Sequence, residues 1–234
     1  VQLNPSNEYE YFYEGEYRSM SSRSEVISVK DAEAVTIELY STVHGTVTTF
    51  DPDNGVAYAL RQSWEGFEVE SLVGWVYQTK ARSWDEFLEQ TERIAITSNH
   101  YYADASGNIG YISAGRLPIR PTGQDQRLPA VGDGSMEWLG IRPFEENPQE
   151  LNPPQGIIVN WNNQSASGHG AHRNWSVVDR VNEITARLNA KERFSRDEVW
   201  DLNRDLSFAD LNARYFVPFI EEAAADLDSD DPVL

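Results

Sequence analysis

Two histidines, His169 and His172, stand three residues apart, and the run Asp51-Pro52-Asp53-Asn54-Gly55 sets two carboxylates and an amide beside a glycine. Such groupings could serve metal binding, which needs several donors converging on one ion. Neither set is complete. Gln62 stands where a calcium loop requires a bidentate glutamate, so the run reads as a hairpin turn in which Asn54-Gly55 accepts positive φ. His169 and His172 have no further ligands at metal spacing and read as surface loop residues. His44 and His100 stand alone and read as hydrogen-bonded structural histidines. The chain has no cysteine, which removes thiol nucleophiles, disulfides and thiolate metal sites. It contains no Gly-x-Ser-x-Gly elbow, no His-Glu-x-x-His pair and no phosphate-binding glycine loop.

The elements that must position any site change character along the chain. In the first sixty residues Val35, Ile37 and Leu39 alternate with polar neighbours, the period of a half-buried strand. Segments 25–30, 45–50 and 56–61 complete a small antiparallel unit. A helix is predicted over Trp84–Ile94: Ser83 caps it, Glu86 completes a capping box, and Trp84, Phe87, Leu88, Thr91 and Ile94 share a face. A second hairpin joins 97–103 to 109–114 through the turn 104–108. Residues 116–154 are rich in Pro and Gly and predict a long ordered excursion, followed by a short apolar strand over 156–162. Helices close the chain. Ser176 caps the first, with Val177, Val181, Ile184 and Leu188 inward. Ser195 and Glu198 box the second, and Phe194 stands at staple spacing from Val199. The third spans 211–225 and is kinked or restarted near Pro218.

Composition narrows the classes. The 234 residues carry 38 acidic against 19 basic side chains, a net charge of −19, and only three of the basic ones are lysines. No basic stripe exists to neutralise phosphates, which speaks against a nucleic-acid partner. An acidic, lysine-poor surface suits a saline setting, where screening relieves self-repulsion. No apolar run approaches the roughly 20 residues of a membrane span. The first residues show neither a basic n-region nor an apolar h-region; were the parent exported, its signal would lie upstream.

Four stretches then fall into a recognisable order. Trp75-Val76-Tyr77-Gln78-Thr79-Lys80-Ala81 leads into the helix at Trp84. Asn99-His100-Tyr101-Tyr102-Ala103-Asp104 runs into Gly107-Asn108-Ile109-Gly110-Tyr111. Arg127-Leu128-Pro129 continues through Pro143-Phe144-Glu145 to Asn147-Pro148. Asn152-Pro153 precedes Asn160-Trp161-Asn162-Asn163, and Asp179-Arg180-Val181 follows. In this order and spacing the chain resembles the β-subunit of the penicillin acylase family, over nearly its whole length. The resemblance implies an α+β fold, part of an N-terminal-nucleophile αββα sandwich. On that reading residues 1–65 are an inserted antiparallel β domain and 66–175 belong to the sheet and helix core. Residues 176–225 are helical and 226–234 an acidic, frayed tail.

The resemblance also implies a chemistry. In this family self-cleavage leaves a serine at the head of the β-subunit; its hydroxyl attacks the amide while its own α-amino group takes the proton. No cofactor takes part. Asn162 matches the oxyanion-hole asparagine, whose amide donates without titrating; otherwise it braces a strand end. Arg180 matches an arginine that orients the site, or else forms a helix-surface salt bridge. Trp75 matches a wall of the acyl pocket, or is a core tryptophan. Ser98 takes a position that is aliphatic in the penicillin G branch, which implies a changed acyl pocket. The family's structural calcium uses a carbonyl that corresponds to Gln126 and an aspartate in the loop after the paired asparagines. Here that loop, 164–173, has no acidic residue. Val1 is not a nucleophile, so the serine, the α-subunit and the rest of the β-subunit are expected as missing partners: the parent would act on N-acylated small molecules, and this segment alone would be inactive. A non-catalytic module of the same fold and an acyl-homoserine-lactone acylase remain as alternatives.

Overall fold

The computed structural model describes residues 1–167, 169, 179–208 and 213–225. They form a mixed α+β structure of small antiparallel sheets and helices, in two units, Val1–Pro154 and Gln155–Leu234.

In the first unit, β1 (Leu3–Asn4), β2 (Asn7–Tyr13) and β3 (Glu16–Ser19) form one antiparallel sheet. Glu14 and Gly15 turn β2 into β3 with φ of 50° and 89°, as a two-residue hairpin demands. Glu-Gly is a weaker signal than Asn-Gly, and within the antiparallel β region expected over 1–65 these strands are not singled out by the sequence. A four-stranded meander follows: β4 (Ser21–Ile27), β5 (Val35–Thr42), β6 (Gly45–Asp51) and β7 (Val56–Leu60). Its β6–β7 turn is the hairpin expected at 51–55. The Asp51 carboxylate accepts from the backbone and side-chain N–H of Asn54 at 3.2 and 2.9 Å. The two sheets are stitched together: Leu3 N–H donates to the Gly55 carbonyl at 2.8 Å and Ala57 N–H to that of Val1 at 3.0 Å. Leu3, Tyr11 and Ala57 are buried at this seam.

The alternation at 35–40 corresponds to a strand, but not to a half-buried one. Val35 and Ile37 are 49% and 37% exposed. Strand β6 pairs with β5 only at Ser41 and Thr42, so the first half of β5 has β4 alone as its neighbour. Residues 35–38 are exposed on both faces of the strand, so the period-2 pattern there buries neither.

Two helices come next. Helix α1 (Glu68–Gln78) was not anticipated: Phe67 gives no side-chain cap, and Val69, Val73, Val76 and Gly74 are poor helix formers. Tertiary packing overrides that weakness. Gly74 lies so close to α2 (Trp84–Glu92) that an added Cβ would sit 2.7 Å from the Gln90 carbonyl oxygen. Buried Ser71 accepts from Ala95 N–H at 2.9 Å beyond the end of α2. The cap of α2 is as expected, with Glu86 N–H donating to Ser83 Oγ at 3.2 Å. The Glu86 carboxylate reaches one residue further than a capping box, accepting from Arg82 N–H at 2.8 Å.

Strands β8 (Ser98–Ala103) and β9 (Ile109–Ala114) form the second predicted hairpin. The excursion that follows holds β10 (Pro118–Ile119), β11 (Gly140–Ile141), a single 3₁₀ turn at 144–146 and β12 (Gln149–Leu151). Strand β12 pairs with β9, which makes β9 the centre of a three-stranded sheet. Asn152 locks this return, its Oδ1 accepting from Ile109 N–H at 3.0 Å and its Nδ2 donating to Asn108 Oδ1 at 2.8 Å. Phe87 from α2, Tyr102 from β8 and Ile112 from β9 form the core beneath, packed with Trp84, Leu88 and Phe144.

In the second unit the apolar run 156–162 forms no strand. The backbone N–H groups of Trp161 and Asn162 are taken by asparagine side chains instead, which compete with ladder formation. His169 is buried, 6% exposed, rather than a surface loop residue; its carbonyl accepts from Gln164 Nε2 at 2.8 Å. His172, Ser176, Val177, Leu211 and the tail 226–234 lie outside the described residues. Helix α3 (Asp179–Leu188) buries Ile184 and half-buries Val181 and Leu188, the expected face. Helix α4 (Arg196–Phe208) opens on the predicted capping box: Ser195 N–H donates to Glu198 Oε2 at 2.8 Å and Glu198 N–H to Ser195 Oγ at 3.3 Å. Helix α5 (Ala213–Ala224) runs through Pro218.

Candidate active site

The tetrapeptide Asn160–Asn163 is a self-bonded turn. Trp161 N–H donates to Asn163 Oδ1 at 2.8 Å, and Asn162 N–H donates to Asn160 Oδ1 at 3.1 Å. These bonds hold Asn162 in the left-handed region, φ 55°, a conformation that asparagine tolerates better than most residues. Its backbone is thereby fixed while its side chain is exposed. Among the described residues the Asn162 amide has no hydrogen-bond partner, so both N–H donors remain available. Arg180, at the start of α3, lays its guanidinium over the Trp161 ring, 5.0 Å from its centre, and makes no ion pair among the described residues. The indole thus joins Arg180 to the turn that presents Asn162.

A second group gathers on the first unit, where α1 meets β8. The pleat of β8 turns Ser98, His100 and Tyr102 to one face, and Tyr102 anchors that face in the core. Ser98 Oγ lies 2.7 Å from His100 Nε2, and His100 Nδ1 lies 3.1 Å from Gln78 Oε1. Gln78 is held in turn, its Nε2 donating to Thr91 Oγ1 at 2.5 Å, while that hydroxyl donates to the Phe87 carbonyl at 2.6 Å. The Trp75 ring, 37% exposed, stands 6.4 Å from the His100 ring. Burial holds the His100 imidazole below its ordinary pKa and favours the neutral form. Trp75 and Ser98 are therefore brought to one place through His100 and Gln78. Sequence reading placed the outer two and missed the link, because Gln78 is on the unanticipated helix.

Gln126 lies elsewhere on this unit, in an exposed turn beside a cavity of ≈ 270 Å³ that also presents Arg120, Gln124, His44 and Glu137. The neighbouring Asp125 carboxylate is gripped by Arg127 at 2.7 to 3.1 Å. Glu137 is bound by His44 Nε2 at 2.6 Å and Arg61 at 2.7 Å. Among the described residues no three acidic or histidine side chains converge as metal ligands.

The sequence matches the penicillin amidase family over residues 1–232. The chain belongs to that family. Its likeness to penicillin G acylase of Escherichia coli is 42% identity over 226 residues, 95% of this chain and 27% of that protein. To the acyl-homoserine lactone acylase QuiP of Pseudomonas syringae pv. tomato it is 29% identical over 201 residues, 82% of this chain and 24% of that protein. Its structure superposes on the thermostable penicillin G acylase from Alcaligenes faecalis with a TM-score of 0.86 at 46% identity, covering 98% of this chain and 42% of that one. The chain spans about a quarter of the length of the curated penicillin amidase relatives it matches. No helix among its described residues is long and apolar enough to cross a membrane.

Proposed function

We propose that this chain is the oxyanion-donor and acyl-pocket segment of an N-terminal-nucleophile amidohydrolase that cleaves a linear amide in an N-acylated small molecule. Within an αββα sandwich the nucleophilic serine comes from residues outside this chain. Its hydroxyl adds to the amide carbonyl while its α-amine takes the proton, and the carbonyl oxygen gathers negative charge. An Asn162 N–H donates to that oxygen, an interaction that strengthens as charge develops and so lowers the barrier rather than tightening substrate binding. The amine departs with the proton, and water then cleaves the acyl ester. Arg180, seated on Trp161, holds the turn that carries Asn162. Trp75 and Ser98 line the acyl pocket.

The observation that carries this reading is Asn162 itself. Family membership runs through it, its backbone is pinned at φ 55°, and its amide is exposed and unpartnered among the described residues. The decisive experiment is acyl-amide hydrolysis by the complete gene product beside the isolated chain. Turnover by the first and none by the second fits the proposal; turnover by the isolated chain sinks the external nucleophile. Running phenylacetyl amides beside long-chain acyl homoserine lactones separates the two activities named among the relatives.

A further inference from the structure

The hydrogen bonds behind Ser98 run in one direction. The Thr91 hydroxyl has a single proton and gives it to the Phe87 carbonyl at 2.6 Å, so toward Gln78 it can only accept. That fixes the Gln78 amide with its NH₂ on Thr91, 2.5 Å away, and its carbonyl oxygen on His100 Nδ1, 3.1 Å away. A carbonyl oxygen cannot donate, so Nδ1 carries the imidazole proton and Nε2 of the neutral ring is an acceptor. Burial favours that neutral ring. Ser98, 2.7 Å from Nε2, then spends its only proton on His100, in preference to the Ile96 carbonyl at 3.2 Å. What remains on the Ser98 oxygen is lone pairs.

We infer that Ser98, polarised by His100 and Gln78, makes the acyl pocket selective for acyl groups that carry a hydrogen-bond donor, a ring hydroxyl being the simplest case. This rests on the reading of Trp75 and Ser98 as pocket lining. Ser98 is half-buried, so a purely hydrocarbon acyl group packed over it strips water from an acceptor and returns nothing. A hydroxylated ring repays that loss. The partly exposed Trp75 indole beside His100 supplies an apolar wall for an aromatic ring. Ser98 is the contact; His100 and Gln78 are positioning residues, since they act through its proton.

The test uses the complete gene product and a panel of arylacetyl anilides: phenylacetyl and its 2-, 3- and 4-hydroxy analogues. At least one hydroxylated member is expected to exceed phenylacetyl in kcat/KM by about tenfold. Ser98→Ala brings that ratio close to one. Gln78→Leu also lowers the ratio, and ¹⁵N shifts of His100 change from a protonated Nδ1 to mixed tautomers, which a merely structural role for Gln78 would not produce. Equal kcat/KM across the panel, or a ratio that survives Ser98→Ala, overturns the inference and leaves the amidohydrolase reading standing. Absence of hydrolysis with every acyl amide tried overturns that reading and this inference with it.

Discussion

The Arg180 guanidinium rests on the Trp161 ring, 5.0 Å from its centre, one residue before Asn162. An arginine over an indole contributes about 0.5–2 kcal/mol and, being planar, restricts how the ring sits. Lysine in its place keeps the charge and loses the stacked plane. In the complete enzyme Arg180→Lys is therefore expected to lower kcat more than it raises KM, and Trp161→Ala to do the same. Steady-state kinetics on one amide decides; a change confined to KM contradicts the arrangement.

Removing Asn162, the proposed oxyanion donor, is expected to be more severe. Asn162→Ala should reduce kcat by about 10²–10³, the range for loss of a single oxyanion donor. KM should move little, because the ground-state carbonyl carries little charge. Asn162→Asp should be at least as damaging, since a carboxylate repels the oxyanion and brings no donor. A variant within threefold of the parent, a small change beside the losses in, would assign Asn162 to bracing the turn.

His100 gives acid a point of entry. Its folded-state pKa lies below the ordinary value of about 6.5, because burial penalises the imidazolium. Between these two values the unfolded chain binds the proton and the folded chain does not, so stability falls as pH drops from about 6.5 through the folded pKa. Glu198 acts at lower pH. Its hydrogen bond from Lys191, then those from Ser195, bring its carboxyl down to about 2. The stabilisation this gives is present above the ordinary glutamate pKa and is lost as pH falls toward 2. Denaturant unfolding at stepped pH should show the first slope vanish in His100→Gln and the second in Glu198→Gln.

The helix pair offers a test free of catalysis. Gly74→Ala gains up to about 1 kcal/mol of helix propensity. It also places a methyl 2.7 Å from the Gln90 carbonyl oxygen and 2.9 Å from Ile94 Cγ1. A backbone carbonyl cannot step aside, and overpacking of this kind costs about 1–3 kcal/mol. A lower denaturation midpoint is expected; an equal or higher one would show that the helices separate freely.

Where local chemistry repeats a strong local rule, the sequence was readable. Ser83 with Glu86 and Ser195 with Glu198 announced two helices, and Asp51 to Gly55 announced a hairpin. Helix α1 was hidden because nothing at Phe67 caps it and its valines favour strands; only its packing through Ser71 and Gly74 explains it. The strand expected over 156–162 failed for the opposite reason. Its apolar residues argued for a ladder, while Asn160 and Asn163 offered the backbone nearer partners. Of the candidate site, motif matching supplied Asn162, Arg180, Trp75 and Ser98. The bonds that link them to Trp161, His100 and Gln78 depend on directions in space, which spacing along a chain does not encode.

The close approach at Gly74 has a consequence for redesign. Trp75 and Gln78 sit on the same short helix as that glycine, so the seat of α1 on α2 indexes both of them against Ser98 on β8. Substituting Ile94, whose side chain meets α1 at Gly74, would slide the indole and the amide together. A variant library confined to the wall of the pocket would overlook this lever. On the proposed reading of Trp75 and Ser98 as pocket lining, one that included Ile94 would retune acyl preference from behind.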